Sequence, residues 1–273
     1  MFMQVDLSGK VAVVTGGTGV LCSPMCVALA DAGASVVVLA QNQTKIDALV
    51  EQIQAKGGKA LGMSADVLKK DSLEVAAKTI LDTYGKLDIL VNGAGGNKPG
   101  ATAVPGERSF FDLPEDALRW VFDLNFTSTL LASQVFGRYM AKQPTGVMIN
   151  FSSMAVYQIL TRVVAYSAAK AALQNFTQWM AVYMAREHSP DIRVNAIAPG
   201  FFLGEQNRFL LIDAETGNLT PRGQQIIDHT PMRRFGDPED LLGTLLWLVS
   251  DAARFVTGVV IPVDGGWSAF SGI

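Results

Sequence analysis

The sequence predicts an α/β fold: a doubly wound parallel sheet of about seven strands with helices on both faces, in a single domain spanning residues 1–273. Three observations carry this expectation. Apolar, β-branched runs alternate with amphipathic stretches along the whole chain. Several runs are apolar at nearly every position, as strands covered on both faces must be. No composition break, linker or repeat divides the chain, and its 49% hydrophobic and 17% charged residues suit one large core.

Strands are expected at residues 11–14, 35–39, 60–63, 89–91, 147–151, 193–197 and 259–263. Between them, apolar positions recur at helical spacing over 24–32, 44–56, 71–84, 115–142, 165–185 and 238–249. Such alternation closes a parallel sheet through right-handed crossovers. Two connections are long for this fold, at about 96–114 and 200–229. Both follow strand C-termini, the edge where open α/β sheets bind ligands, so both are expected to form the substrate site.

The charge balance narrows the partners. A net charge of −3 leaves no basic surface for nucleic acid or anionic lipid. The most apolar late stretch, 241–249, contains Gly243 and Thr244 and falls short of the roughly 18 apolar residues of a membrane span. Asp6, Ser8 and Gly9 lead directly into the first strand, so no secretory leader is expected and the cytoplasm is the expected location. Cys22 and Cys26 stand four apart on a helix, a poor geometry for a disulfide, and no further metal ligands accompany them. His188 and His229 neighbour polar residues and are expected at the surface.

The first strand runs into Thr15-Gly16-Gly17-Thr18-Gly19-Val20 and then a helix. Glycines let a backbone turn tightly against a pyrophosphate, and a helix N-terminus presents free N–H groups to it. The second strand ends in Ala40-Gln41-Asn42, with neither an acid for the adenosine ribose nor an arginine for a 2′-phosphate. Gln41 and Asn42 are able to hydrogen-bond a bare ribose, so NAD and NADP both stay open, with a slight tilt to NADP because nothing repels the phosphate.

Tyr166 and Lys170, four residues apart on a helix, share one face. A free tyrosine, with a pKa of about 10, is a poor acid–base catalyst near neutrality; an adjacent ammonium is expected to lower it. Tyr166 would then exchange a proton with a carbonyl or alcohol oxygen. Ser153 follows a strand end, where its hydroxyl can polarise the same oxygen. Asn125 interrupts an apolar helical stretch and needs a partner for its amide, such as a water or Lys170.

Taken in order, Thr15-Gly16, Asp66-Val67, Asn92-Gly93-Ala94-Gly95, Asn125, Ser153, Tyr166-x-x-x-Lys170, Pro199-Gly200 and Val263-Asp264-Gly265-Gly266 resemble the short-chain dehydrogenase/reductase family over essentially the whole chain. The resemblance implies a Rossmann-type NAD(P)-binding domain and an oxidoreductase acting on CH–OH groups. Tyr166 would be the general acid/base. Lys170 would hold the nicotinamide ribose and lower the Tyr166 pKa, Ser153 would orient the carbonyl, and Asn125 would hold a relay water. Thr15, Gly16, Gly17, Gly19 and Val20 would form the pyrophosphate turn. Asp66 and Val67 would contact adenine, Asn92, Gly93, Ala94 and Gly95 would line the cleft, and Pro199, Gly200 and Phe202 would lie beside the nicotinamide.

This chain departs from the family pattern at four places. Val20 and Cys22 stand where its turn has glycine, Gly93 where it often has a larger residue, and Gly204 where a threonine often binds the carboxamide.

The polar residues Asn97, Lys98, Arg162, Gln206, Asn207 and Arg208 on or beside the two loops suit an oxygen-rich anion. Together with Pro199-Gly200-Phe-Phe-Leu and Thr230-Pro231-Met232-x-Arg234-Phe235-Gly236, they resemble one branch, bacterial enzymes of the D-mannonate oxidoreductase (fructuronate reductase) type. A gluconate 5-dehydrogenase-like enzyme, a 3-ketoacyl-carrier reductase and a non-catalytic nucleotide sensor are the alternatives. The resemblance also implies a homotetramer, with 267–273 at one interface and the helices carrying Asn125 and Tyr166 at another.

Overall fold

The structure, a computed structural model, describes residues 5–204, 208 and 210–272. Its strands are β1 (Val11–Thr15), β2 (Ser35–Ala40), β3 (Lys59–Ser64), β4 (Ile89–Asn92), β5 (Gly146–Phe151), β6 (Ile192–Pro199) and β7 (Val260–Val263). They form one parallel sheet in the order β3-β2-β1-β4-β5-β6-β7. Helices among the described residues are α1 (Cys22–Asp31), α2 (Gln43–Ala55), α3 (Lys70–Tyr84), α4 (Glu115–Phe122), α5 (Ser128–Met140), α6 (Val164–Glu187), α7 (Pro221–His229) and α8 (Leu242–Val249).

Alternation along the central strands explains the two layers. Ala12, Val14, Val36 and Val38 face Met25 and Leu29 of α1, Ile46 and Ile53 of α2, and Leu245 and Leu248 of α8. Val11, Val13, Val37 and Leu39 face Leu73 and Ile80 of α3, Phe136 and Met140 of α5, and Met180 and Met184 of α6. Withdrawing each large side chain from water contributes about 1.5–3 kcal/mol, so runs apolar at successive positions are driven to the centre of the sheet. Helix α3 shows the matching pattern, with Leu73, Ala76, Ala77 and Ile80 buried. It stops at Gly85, whose φ of 73° lets its N–H reach the Leu81 carbonyl at 2.8 Å.

Three elements differ from the sequence expectation. The helix expected over 115–142 is split into α4 and α5 by a π-helical turn, Asp123–Thr127, with the fully buried Asn125 at its centre. Asn125 Nδ2 donates to the Val121 carbonyl at 2.7 Å, so the side chain competes with the helical ladder. The stretch over 238–249 begins as a 3-10 turn, Pro238–Leu241, held by a capping box of Asp237 and Asp240, before α8 follows. The loop over 200–229 contains α7. Its signals are a Thr220 hydroxyl that accepts the Gly223 N–H at 3.1 Å, and Pro221 at the first helical position.

No helix among the described residues is long and apolar enough to cross a membrane. Strand order reverses between β1 and β4, opening a crevice at their C-terminal ends. Register places Thr15 beside Asn92, and Asn92 beside Asn150, along its floor.

Candidate active site

The crevice is closed by backbone fit. Gly16 takes a φ of 65°, and a Cβ there would lie 2.8 Å from the Ala94 backbone. Thr15 Oγ1 donates to the Val91 carbonyl and accepts the Ala94 N–H, both at 3.4 Å, tying the β1 turn to the β4 turn. Gly17 packs under Val38, and Gly200, whose N–H donates to Val263 O at 3.0 Å, leaves no room for a side chain against Asp264. Phe202 is buried against Gly236. Helix α1 begins after Leu21 with no side-chain cap, so no side chain satisfies its leading N–H groups.

The departures in the glycine turn meet glycines. Cys22 Sγ lies under Gly93 and contacts its carbonyl at 3.8 Å; a Cβ at position 93 would overlap the sulfur. Val20, facing solvent, touches Gly204, where a Cβ would be 3.5 Å from it. Burial pushes the Cys22 thiol up to about 12, which makes it unreactive.

At the adenosine end, Asn42 Oδ1 caps α2 by accepting the Lys45 N–H at 3.1 Å, while Gln41 is exposed. The half-buried Asp66 accepts the Leu68 N–H at 3.1 Å, and Val67 is buried. On the crevice floor, Asn92 donates to Asn150 Oδ1 at 2.9 Å and to Ser133 Oγ at 3.2 Å. Asn92 Oδ1 and the neighbouring Ser152 Oγ are buried without a partner among the described residues. Close-packed glycines and unpartnered polar atoms on the crevice floor fit a nicotinamide dinucleotide. No group of three His, Cys, Asp or Glu among the described residues could hold a metal.

The four catalytic candidates converge. Lys170, 3% exposed, donates from Nζ to the Phe151 carbonyl at 2.7 Å, and lies 5.5 Å from the Tyr166 ring centroid. Ser153, just beyond β5, is close enough to Tyr166 for its hydroxyl to favour the phenolate. Gly95 sits between Asn125 and Lys170; a Cβ there would be 2.9 Å from Asn125 Oδ1 and 3.4 Å from Lys170 Nζ.

Two sequence expectations are corrected here. Burial raises the Tyr166 pKa, with only Ser153 opposing it. The lysine does not lower it, because burial brings Lys170 itself down to about 8 and its ammonium is turned to the Phe151 carbonyl. Asn125 does not offer a free amide to a water. Nδ2 donates to Gly96 O at 2.6 Å and to Val121 O, while Oδ1 accepts the Gly96 N–H at 3.1 Å, so the side chain clamps the start of the first long loop.

The substrate candidates divide. Asn97 Nδ2 is spent on Thr102 Oγ1 at 2.9 Å, and Lys98 Nζ lies over the Trp120 ring at 4.9 Å, so both tether their own loop. Arg162 is half-buried four residues before Tyr166, and its carbonyl accepts the Ala103 N–H at 2.9 Å, joining that loop to the catalytic segment. Arg208 is exposed. Gln206 and Asn207 lie outside the described residues.

Sequence reasoning did not mark Arg222, which is half-buried in α7; the Thr220-Pro221 helix start was its only signal. His229 is half-buried instead of at the surface, 4.8 Å from Trp267 and 5.2 Å from Phe270, ring to ring. Trp267 also meets Phe201 at 5.6 Å, so the C-terminal aromatics pack within their own chain.

Comparison with known proteins bears on this arrangement. A family model described as Enoyl-(Acyl carrier protein) reductase matches residues 22–268. The uncharacterized oxidoreductase UxuB of Bacillus subtilis (strain 168) is 51% identical, covering 98% of each chain. The crystal structure of a candidate D-mannonate oxidoreductase from Haemophilus influenzae, with bound NAD, superposes with a TM-score of 0.92 at 43% identity, covering 98% of each chain. The 7alpha-hydroxysteroid dehydrogenase of Escherichia coli (strain K12) is 34% identical, over 95% of this chain and 94% of that one.

Proposed function

The chain belongs to the short-chain dehydrogenase/reductase family, an NAD(P)-dependent oxidoreductase acting on CH–OH groups, and from that premise we propose that it interconverts D-fructuronate and D-mannonate with NAD as cofactor. The observation that carries the substrate class is Arg162, half-buried four residues before Tyr166 in the chain, with no acid partner among the described residues. A steroid or acyl chain gives such a group nothing to bind. The D-mannonate description of the 43% identical neighbour supports the same class, and its bound NAD supports the cofactor.

The nicotinamide, when bound, supplies or accepts the hydride. Thr15, Gly16, Gly17 and Gly19 would hold its pyrophosphate at the α1 N-terminus, with Asp66 and Val67 at the adenine and Lys170 at the nicotinamide ribose. The Ser153 hydroxyl donates to the substrate carbonyl oxygen and fixes it beside Tyr166. Tyr166, kept protonated at neutral pH by burial, gives its proton to that oxygen as hydride reaches the carbon. In the reverse direction it takes the proton back from the alcohol. We place the working enzyme in the cytoplasm as a homotetramer. A ring stack on α6, half-buried at Phe176 and exposed at Trp179 and Tyr183, with centroids 6.4 and 5.0 Å apart, offers one interface.

The test is turnover followed at 340 nm, with NADH and NADPH each crossed with D-fructuronate, 5-ketogluconate and an acetoacetyl thioester. Preferred reduction of D-fructuronate by NADH is expected. Preference for 5-ketogluconate or the thioester replaces the substrate, and cofactor binding without any turnover returns the nucleotide-sensor alternative.

A further inference from the structure

The face of α6 that carries Tyr166 and Lys170 continues as Leu173 and Thr177, at successive spacings of four, three and four residues. Around them the helix has little to fix it by shape. Its buried face presents Ala165, Ala169 and Ala181, which are small, and Met180 and Met184, which are flexible. Helix α5 meets it at Gly137, where a Cβ would lie 3.5 Å from the end of Met180. Smooth apolar packing of this kind holds a helix down without choosing one register for it.

A polar chain crosses this apolar layer. On β5, Asn150 Nδ2 donates to Thr177 Oγ1 at 2.9 Å, and that hydroxyl donates to the Leu173 carbonyl at 2.8 Å. Asn150 Oδ1 accepts from Asn92 of β4, which also donates to Ser133 on α5. All four side chains are buried, Asn150 and Thr177 completely. One residue beyond Asn150, the Phe151 carbonyl accepts from Lys170. Helix α6 is thus fastened to consecutive residues of β5 at two points, about two turns apart on one face. A slip of one residue moves the helix by about 1.5 Å and turns it by about 100°, which breaks both bonds. Buried hydrogen-bonded pairs add little to stability beyond what apolar residues of the same volume supply. They do penalise every slipped arrangement, because each leaves the Asn150 amide without a partner in a dry core.

We propose that Asn150 and Thr177 are positioning residues, which set the register of α6 on β5 and through it the placement of Lys170 and Tyr166 at the cofactor. Neither touches the reacting atoms. Their role concerns transfer to any carbonyl, so it stands apart from the sugar-acid reading.

The experiment compares the full-length protein with Thr177→Val, Thr177→Ser and the double variant Asn150→Leu/Thr177→Val. Each is assayed with NADH and whichever of D-fructuronate, 5-ketogluconate and the acetoacetyl thioester the unaltered chain reduces. Urea unfolding is measured beside the kinetics, and kcat is read where every variant is folded. Thr177→Val strands the Asn150 amide, so its urea midpoint should fall. Its kcat should fall by about 10- to 100-fold, as a displacement on the order of 1 Å at the catalytic groups does, with the carbonyl KM nearly unchanged. Thr177→Ser keeps the hydroxyl and should recover most of both losses. The double variant replaces the bonded pair by apolar groups, so its midpoint should rise above that of Thr177→Val while kcat stays low. Recovery of kcat together with the midpoint would mean that the pair only fills the core, and would overturn the assignment. So would equal kcat in Thr177→Val and Thr177→Ser, a comparison that stands even if the double variant does not fold. If the unaltered chain reduces none of the three carbonyls, NADH binding is read by nicotinamide fluorescence, since Lys170 is placed at the nicotinamide ribose. Affinity weakened by about threefold or more in Thr177→Val and restored in Thr177→Ser supports the role, and equal affinity overturns it.

Discussion

The two sides of the catalytic centre are made differently. On the cofactor side, the walls are backbone: Gly16 against Ala94, Gly93 over Cys22, Gly200 against Asp264, with Thr15 and Asn92 locked across adjacent strands. On the proposed substrate side, the long connection over 96–114 is held by side-chain tethers such as Asn97 to Thr102 and Lys98 on Trp120. A cofactor common to many reactions calls for a surface fixed by the sheet. A substrate peculiar to one reaction calls for groups that vary without disturbing that sheet. Tyr166, Ser153 and Lys170 stand where the two sides meet.

Replacing Tyr166 by phenylalanine separates the sides most sharply. The ring and its packing stay, while the proton donor is lost. We expect kcat to fall by about a thousandfold, with the NADH dissociation constant, measured by fluorescence titration, nearly unchanged. Residual turnover within tenfold of the unaltered enzyme would remove Tyr166 from the proton step. A matching loss of NADH affinity would mean that the two sides are not separable at this residue.

The same division governs what could be read from the sequence. Strands such as β2 and β4 were legible because burial on both faces demands uninterrupted apolar residues, and the glycine turn because only glycine permits its contacts. The Tyr166–Lys170 pair was legible from helical spacing, but the direction of the Tyr166 pKa was not. It depends on burial against Ala101, Ala117 and Val121, which helical spacing alone does not show. The break at Asn125 was visible as an asparagine in an apolar stretch, yet its partner, Gly96, lies 29 residues away in sequence.

The paired departures in the glycine turn sharpen the comparison from the cofactor side. If Cys22 fits only because position 93 lacks a side chain, Gly93→Ala should weaken NADH binding by about tenfold or more, through overpacking that typically costs about 1–3 kcal/mol. Adding Cys22→Ala removes the sulfur from the collision. Recovery should be partial, because the Thr15 carbonyl remains 2.9 Å from the new Cβ. The substrate KM should follow neither change. Losses that simply add in the double variant would show that the two positions are independent, and that the turn tolerates Cys22 for another reason.

The smallest expected effect is on stability and concerns Lys170, which carries a cost for its burial. Its pKa in the folded chain, about 8, lies below the ordinary lysine value because burial disfavours the ammonium. Below about pH 8 folding must therefore bury the charge; between about 8 and 10.5 it releases the proton instead, and the cost disappears as pH rises towards 10.5, where the unfolded chain also loses the proton. Lys170→Met should consequently abolish efficient catalysis while stabilising the fold at pH 7 by about 1–2 kcal/mol, the gain being reduced by the lost bond to the Phe151 carbonyl. Denaturant unfolding at pH 7 and pH 9.5 checks the sign: the advantage of the variant should shrink at the higher pH. An advantage that grows with pH would mean that the folded protein holds the ammonium more strongly than water does. Lys170 would then be a structural ion, and not a charge strained into place for the cofactor.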